Sequence, residues 1–309
     1  MLAWLTWSVL GGVASALCYG LGPMVFWAPL PIYLTVLRHG GAAGGLAAAL
    51  AALLISQFTA SAVPLEFAAI GPLNGLFYFS LFGGSTALIG FVACLRAGTR
   101  SGYVSPALPW MTIAAWGGGL FLLMVAFHGV EGLQQAMTAQ FQALLKQMPG
   151  PPLDPAGERE IVAQMVSMAP AVLGLFWGLL QQLNLAVAQR MLTRRGASLR
   201  PASIFAGARL PLPLLAIFAL LLAASMMGGD VGYVAKTLAA FVAVPYVLAG
   251  LAFAHAATRK WPLRWLALTV LYVFLTLYVL LAAPVLVALG IWDQFSNLRG
   301  RKDAGSEEE

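Results

Sequence analysis

Long apolar runs separated by short polar or basic stretches dominate the pattern of this chain. Most runs are about 20 residues long, the length at which an α-helix crosses the roughly 30 Å hydrocarbon core of a bilayer. The alternation of apolar and polar positions that is typical of membrane β-strands is absent. The pattern therefore predicts an all-α, polytopic transmembrane helix bundle.

About eight or nine membrane segments are predicted from the apolar runs. The first two are short, and Pro29 and Pro31 in the second favour either two tight spans or a re-entrant hairpin. Pro284 is the expected kink of the last segment. The segments lie at about residues 3–20, 24–37, 42–62, 67–95, 109–129, 168–195, 210–228, 233–256 and 265–292.

One sizeable stretch, residues 130–165, is polar. Its apolar side chains recur at helical spacing between Gln, Glu and Lys, and a proline-rich turn follows. Such spacing predicts an amphipathic helix at the membrane surface. Four regions are therefore expected: N-terminal membrane helices at 1–129, this external helix and turn at 130–165, C-terminal membrane helices at 166–292 and a charged tail at 293–309.

The composition excludes a soluble globular protein, since 61% of the 309 residues are hydrophobic and 9% are charged. The net charge of +6 comes from basic residues in short loops between apolar runs. That distribution follows the positive-inside rule and indicates orientation rather than nucleic-acid binding. If the basic loops are cytoplasmic, the 130–165 stretch is external, and the lipid bilayer is the expected partner.

Polar side chains at membrane depth are the candidates for a ligand site. Gln181, Gln182 and Asn184 lie near the middle of segment 168–195, which ends in an arginine cluster. Amides at this depth either join neighbouring helices by hydrogen bonds or line a cavity that contacts a small polar ligand. Asn74 follows a Gly-Pro break, and Lys236 either reaches outward to the interface or pairs inside the bundle.

No catalytic constellation is visible in the sequence. Nucleophile elbow, phosphate-binding loop, zinc-protease and paired-cysteine motifs are absent, and Cys18 and Cys94 lie in apolar segments without metal-type spacing. We therefore expect a protein that is not an enzyme and that uses neither a cofactor nor a metal ion.

Three short motifs resemble the YybS-like family of uncharacterised bacterial membrane proteins. They are the Asn184–Gly196 stretch NLAVAQRMLTRRG, the Arg209-Leu210-Pro211 opening of the next segment and the Gly290–Arg301 ending GIWDQFSNLRGR. The resemblance implies a multi-pass protein of the bacterial inner membrane. It also implies a distant similarity to the substrate-binding subunits of energy-coupling-factor (ECF) vitamin transporters, which work with a separate ATPase module.

Two functions lead the hypotheses, and an intramembrane enzyme ranks third because no nucleophile–base pair is visible. The first is a small-molecule transport or substrate-binding component without its own ATPase, which works with a separate energy-coupling protein. The second is a non-transporting scaffold that recruits protein partners through the external helix or the charged tail. In the second case the buried amides serve only helix packing.

Overall fold

The computed structural model describes residues 2–62, 107–147, 154–197 and 209–296, and all regular structure in these ranges is helical. The predicted segment at 67–95, with Asn74, lies outside the described residues, as does the tail from residue 297. The helices are α1 (Leu2–Gly20), a 3-10 helix (Gly22–Trp27), α2 (Pro29–His39), α3 (Gly41–Ala62), α4 (Ala107–Gln147), α5 (Pro155–Arg194), α6 (Leu212–Ser225), α7 (Gly229–Ala257), α8 (Arg264–Leu277) and α9 (Val279–Ser296).

Four helices in the described ranges are long and apolar enough to cross a membrane by length and composition. They are Pro109–Gln147 within α4, together with α5, α7 and α9. Four shorter apolar helical stretches accompany them: Ala3–Cys18 within α1, Gly41–Ile55 within α3, α6 and α8. Helical membrane architecture is thus confirmed for the described residues, whereas about eight or nine spans remain a prediction.

The short second segment forms a helix of 11 residues, α2. At 1.5 Å per residue it rises about 16 Å, roughly half of the hydrocarbon core. The 3-10 helix separates it from α1, and the buried Ser15 Oγ donates a hydrogen bond to Ala28 O at 2.7 Å. By length, α2 alone does not cross a bilayer.

The amphipathic stretch 130–147 continues directly from the apolar part of α4. The two parts meet at Gly129, which has φ 69° and ψ 167° and so interrupts the helical backbone. Glycine adopts such a positive φ without steric cost. The predicted boundary at residue 130 therefore coincides with a kink, and the position of the amphipathic part outside the membrane remains a prediction.

The last predicted segment contains a break at a different place from the expected one. The structure divides residues 265–292 between α8 and α9 at Tyr278, which has φ −128° and ψ 49°. Pro284, the expected kink, lies inside α9, and a bend at that residue stays a prediction. A proline perturbs the turn that precedes it, and the break lies on that N-terminal side.

The chain packs as two compact units. Unit 1 comprises Met1–Trp116 and Leu179–Ile204, and unit 2 comprises Gly117–Gly178 and Phe205–Glu309. In unit 1, α1 packs against α2 and α3. In unit 2, α7 packs against α6 and α9, and α8 contacts α9.

Small residues bring helices together in unit 1, as the Gly- and Ala-rich sequence of α3 predicts. Ala47 and Ala51 of α3 are completely buried. A Cβ added to Gly12 of α1 would lie only 2.6 Å from Ala47 O. The two backbones therefore approach more closely than a larger side chain would allow.

Candidate functional site

The candidate amides lie on α5, whose two ends are defined by local signals. Asp154 is the N-cap residue and accepts a hydrogen bond from Gly157 N at 3.2 Å, with Pro155 as the first helical residue. At the other end, Ala197 N donates to Leu192 O and Gly196, at φ 61°, donates to Thr193 O. This pair of bonds is a Schellman motif.

Gln181 is 2% exposed and bonds to a helix that is distant in sequence. Tyr33 OH of α2, itself completely buried, donates a hydrogen bond to Gln181 Oε1 at 3.0 Å. The bond joins α5 to α2 within unit 1. Such a bond is worth about 0.6–2 kcal/mol between membrane helices.

Asn184 is completely buried and satisfies only part of its hydrogen-bonding capacity. Its Nδ2 donates to Phe26 O at 2.9 Å and to Leu180 O at 3.0 Å. Its Oδ1 has no hydrogen-bond partner among the described residues. A buried acceptor without a partner costs about 1–3 kcal/mol, so it requires an explanation.

Gln182 lies on another face of α5 because successive helical residues are separated by 100°. It is 7% exposed, and its Nε2 has no hydrogen-bond partner in the part of the chain that the structure describes. Gln189, which shares this face, donates from Nε2 to Thr193 Oγ1 at 3.1 Å, within the same helix. The amides thus fall into two sets rather than one cluster.

An apolar cluster surrounds the Tyr33 end of this arrangement. It contains Leu37 of α2 and Leu185, Ala188 and Leu192 of α5, all buried in unit 1. An apolar environment raises the cost of an amide atom without a partner. The site can therefore recognise a small group by neutral hydrogen bonds, with Asn184 Oδ1 as an acceptor.

The structure does not place the other two candidate residues, Asn74 and Lys236, with the amides of α5. Asn74 lies outside the described residues. Lys236 lies in α7 of unit 2, and its side chain is exposed. Within residues 2–62, 107–147, 154–197 and 209–296, no group of three His, Cys, Asp or Glu side chains could hold a metal ion.

Tyr33 and Asp293 are among the buried polar residues that were not identified as candidates from the sequence. Tyr33 lies in the middle of α2, and a tyrosine away from the interfacial ends of an apolar helix could have indicated a buried partner. Asp293 is 4% exposed at the end of α9 in unit 2, although carboxylates are rarely buried. Its position beside Trp292 suggested the end of a span instead.

The comparisons with known proteins agree with the helical membrane architecture. A family model described as "Predicted membrane protein (DUF2232)" matches residues 12–294. No curated protein and no solved structure matches the chain. Since the family model covers most of the 309 residues, the chain belongs to this family of predicted membrane proteins.

Proposed function

We propose that this protein is a small-molecule transport or substrate-binding component of a membrane, without its own ATPase. Asn184 Oδ1 carries the proposal, because it is a completely buried acceptor without a partner among the described residues. Polar groups at membrane depth are costly and are typically retained for function. A ligand that donates one hydrogen bond to Asn184 would remove this cost.

The proposal includes the features that the sequence resemblance implies. The protein would be similar to YybS-like proteins and, distantly, to the substrate-binding subunits of ECF-type vitamin transporters. It would lie in a bacterial inner membrane with about eight or nine segments and with residues 130–165 outside. A separate energy-coupling protein would be its partner, and it would be neither an enzyme nor a nucleic-acid-binding protein.

The test is ligand-dependent stability of the full-length protein in detergent. We expect a small polar molecule to copurify, and its re-addition to a stripped sample to raise the unfolding temperature. Asn184→Leu should abolish this shift. Gln189→Leu is the matched control, since it removes another buried amide of α5, which donates to Thr193 Oγ1 of the same helix, and it should retain the shift.

A sample with no copurifying small molecule and no ligand-dependent shift in the unmodified protein would contradict the proposal. Native mass spectrometry of the detergent-solubilised protein measures the copurification independently of stability. It therefore remains informative if Asn184→Leu does not fold.

The scaffold hypothesis is the second candidate, and one observation favours it. Gln181 and Asn184 both make hydrogen bonds to residues of other elements, Tyr33 and Phe26. Such bonds are what amides provide when they only hold helices together. Crosslinking in cells distinguishes the two functions: a stable protein partner without an ATPase module favours a scaffold, and an ATPase partner favours transport.

A further inference from the structure

A cleft lies between the C-terminal part of α4 and the N-terminal part of α5, within unit 2. Its volume is about 300 Å³, which is at the lower end of the range for small-ligand sites. Gln134, Thr138 and Gln142 line it from α4 at intervals of four residues, and Arg159 and Ser167 line it from α5. Residues at these spacings share one face of their helix.

Arg159 is the only charged side chain among the described residues that line the cleft. Its Nε donates to Pro155 O of its own helix at 3.0 Å, which leaves the two Nη groups as further donors. No carboxylate lines the cleft in the described ranges. The electrostatic balance of the cleft therefore favours a negatively charged group.

Of the neutral polar side chains, only the two glutamines can still donate hydrogen bonds to an anion. Thr138 Oγ1 donates to Gln134 O at 2.8 Å and Ser167 Oγ donates to Gln164 O at 2.9 Å, so both hydroxyl protons are already used. The Gln134 and Gln142 side chains provide amide N–H donors beside the Arg159 guanidinium. The donors that remain are suited to an anion.

The cleft also has an apolar part. Val162 and Val166, both buried, line it from α5 one turn apart. A ligand that is only an inorganic anion would leave this surface without contacts. An anionic group attached to a short hydrocarbon body would use both the guanidinium and the valines.

We propose that this cleft binds a small soluble organic carboxylate. The carboxylate accepts hydrogen bonds from Arg159, which suits a bidentate arrangement, and from the glutamine amides. The hydrocarbon body rests on Val162 and Val166. The proposal is independent of the function proposed above, because every lining residue belongs to unit 2 and Asn184 belongs to unit 1.

The experiment is isothermal titration of the full-length protein in non-ionic detergent with sodium butyrate. Butyramide is the neutral control ligand, because it has the same hydrocarbon body without the charge. Butyrate should bind and butyramide should not. Arg159→Gln should weaken butyrate binding at least about tenfold, as expected for loss of hydrogen bonds between charged groups.

Two further variants separate a specific site from general charge effects. Ala163→Phe leaves Arg159 intact but fills the cleft from an exposed lining position, so binding should also be lost. Lys146→Gln removes one positive charge from α4 at an exposed position that does not line the cleft. It should leave the affinity within about twofold, as is usual for a screened surface charge.

Three outcomes would overturn the proposal. The first is that butyrate does not bind the unmodified protein, and the second is that it binds Arg159→Gln and Ala163→Phe as well as it binds the unmodified protein. The third outcome is binding only of phosphatidylglycerol, measured in nanodiscs and sensitive to Arg159→Gln but not to Lys146→Gln. That result would assign the cleft to an anionic lipid headgroup rather than to a soluble carboxylate.

Discussion

The two units of the protein hold their helices together with different side chains. In unit 1, hydrogen bonds from Tyr33 and Asn184 join segments that are distant in sequence, and Ser15 bonds to Ala28 O of the neighbouring segment. Unit 2 has such a bond as well, from Gln294 Nε2 to Leu210 O at 2.8 Å, but the central contacts of α7 are aromatic side chains and glycines. Phe241 packs edge-on against Trp177, with ring centroids 6.3 Å apart, over the space left by Gly174.

The difference shows that polar and apolar contacts between helices place different requirements on the side chains. Hydrogen bonds depend on the pairing of particular donors and acceptors. Where a donor is missing, a buried acceptor is left without a partner, as at Asn184 Oδ1. Glycine contacts depend only on shape and leave no unsatisfied group. Unit 2 also contains an atom of this kind, because the completely buried Tyr246 Oη of α7 has no hydrogen-bond partner among the described residues. The two units therefore differ in how their helices are joined, not in whether unsatisfied polar groups occur.

The largest effect is expected in unit 2, where α7 and α9 cross at Gly250 and Gly290. A Cβ at Gly290 would overlap Tyr246 O and lie 3.0 Å from Gly250 N, and neither backbone atom can move alone. Gly290→Ala should destabilise the protein by about 1–3 kcal/mol, the usual cost of overpacking. Thermal unfolding in detergent measures the change.

Gly119 provides the matched control for this substitution. It is a helical glycine of unit 2, and a Cβ there would have nothing within 4 Å. Gly119→Ala should be neutral or stabilise the helix by up to about 1 kcal/mol. Equal destabilisation by the two variants would show that close backbone approach does not hold α7 and α9 together.

A smaller effect is expected for the Tyr33–Gln181 bond of unit 1. We expect a double-mutant cycle of Tyr33→Phe and Gln181→Leu to give a coupling energy between about 0.6 kcal/mol, the mean for bonds between membrane helices, and about 1.7 kcal/mol, the maximum. Each single variant removes the bond, so the double variant should cost less than the sum. Strict additivity would mean that the bond contributes nothing to unit 1.

The smallest effect concerns His39, at the end of α2 in unit 1. Burial, and to a lesser degree the Arg38 guanidinium, lower the pKa of His39. The unfolded chain, with a histidine pKa of about 6.5, then binds more protons than the folded protein as the pH falls. Stability should be full above about pH 6.5 and decline as the pH falls from there toward the folded pKa.

The ring environment of His39 suggests the matching variant. Its ring stacks on Trp7 at a centroid distance of 5.8 Å, and Arg38 Cζ lies 4.6 Å from the same indole. His39→Gln should remove the acid-dependent decline while leaving Arg38 on Trp7. The measurement is the unfolding temperature of the two proteins at a series of acidic pH values. The same dependence on pH in both proteins would contradict the assignment of the decline to His39.

Much of the helical architecture was accessible from the sequence because it depends on local chemistry. Long apolar runs predict helices since every backbone group must be satisfied within the segment in lipid. Asp154 and Pro155 mark the start of α5 because capping and proline geometry act within one turn. The break at Tyr278 was not predicted, because Pro284 gave a stronger local signal for an irregularity.

The candidate site was accessible only in part. Gln181, Gln182 and Asn184 are conspicuous as polar residues in an apolar run. Their partners could not be predicted, since Tyr33 and Phe26 lie about 150 residues away. The cleft beside Arg159 was also not visible, because its two walls come from separate helices.

By itself, the sequence determined that this is a helical membrane protein and that α5 carries unusual amides, because hydropathy and capping are properties of neighbouring residues. Only the tertiary structure decided which amide atoms are bonded, and that α7 and α9 meet at Gly250 and Gly290. The physical reason is that hydrogen bonds and close contacts require two surfaces. The two surfaces of such a contact come from segments that are distant in sequence, so their pairing is known only once the chain has folded.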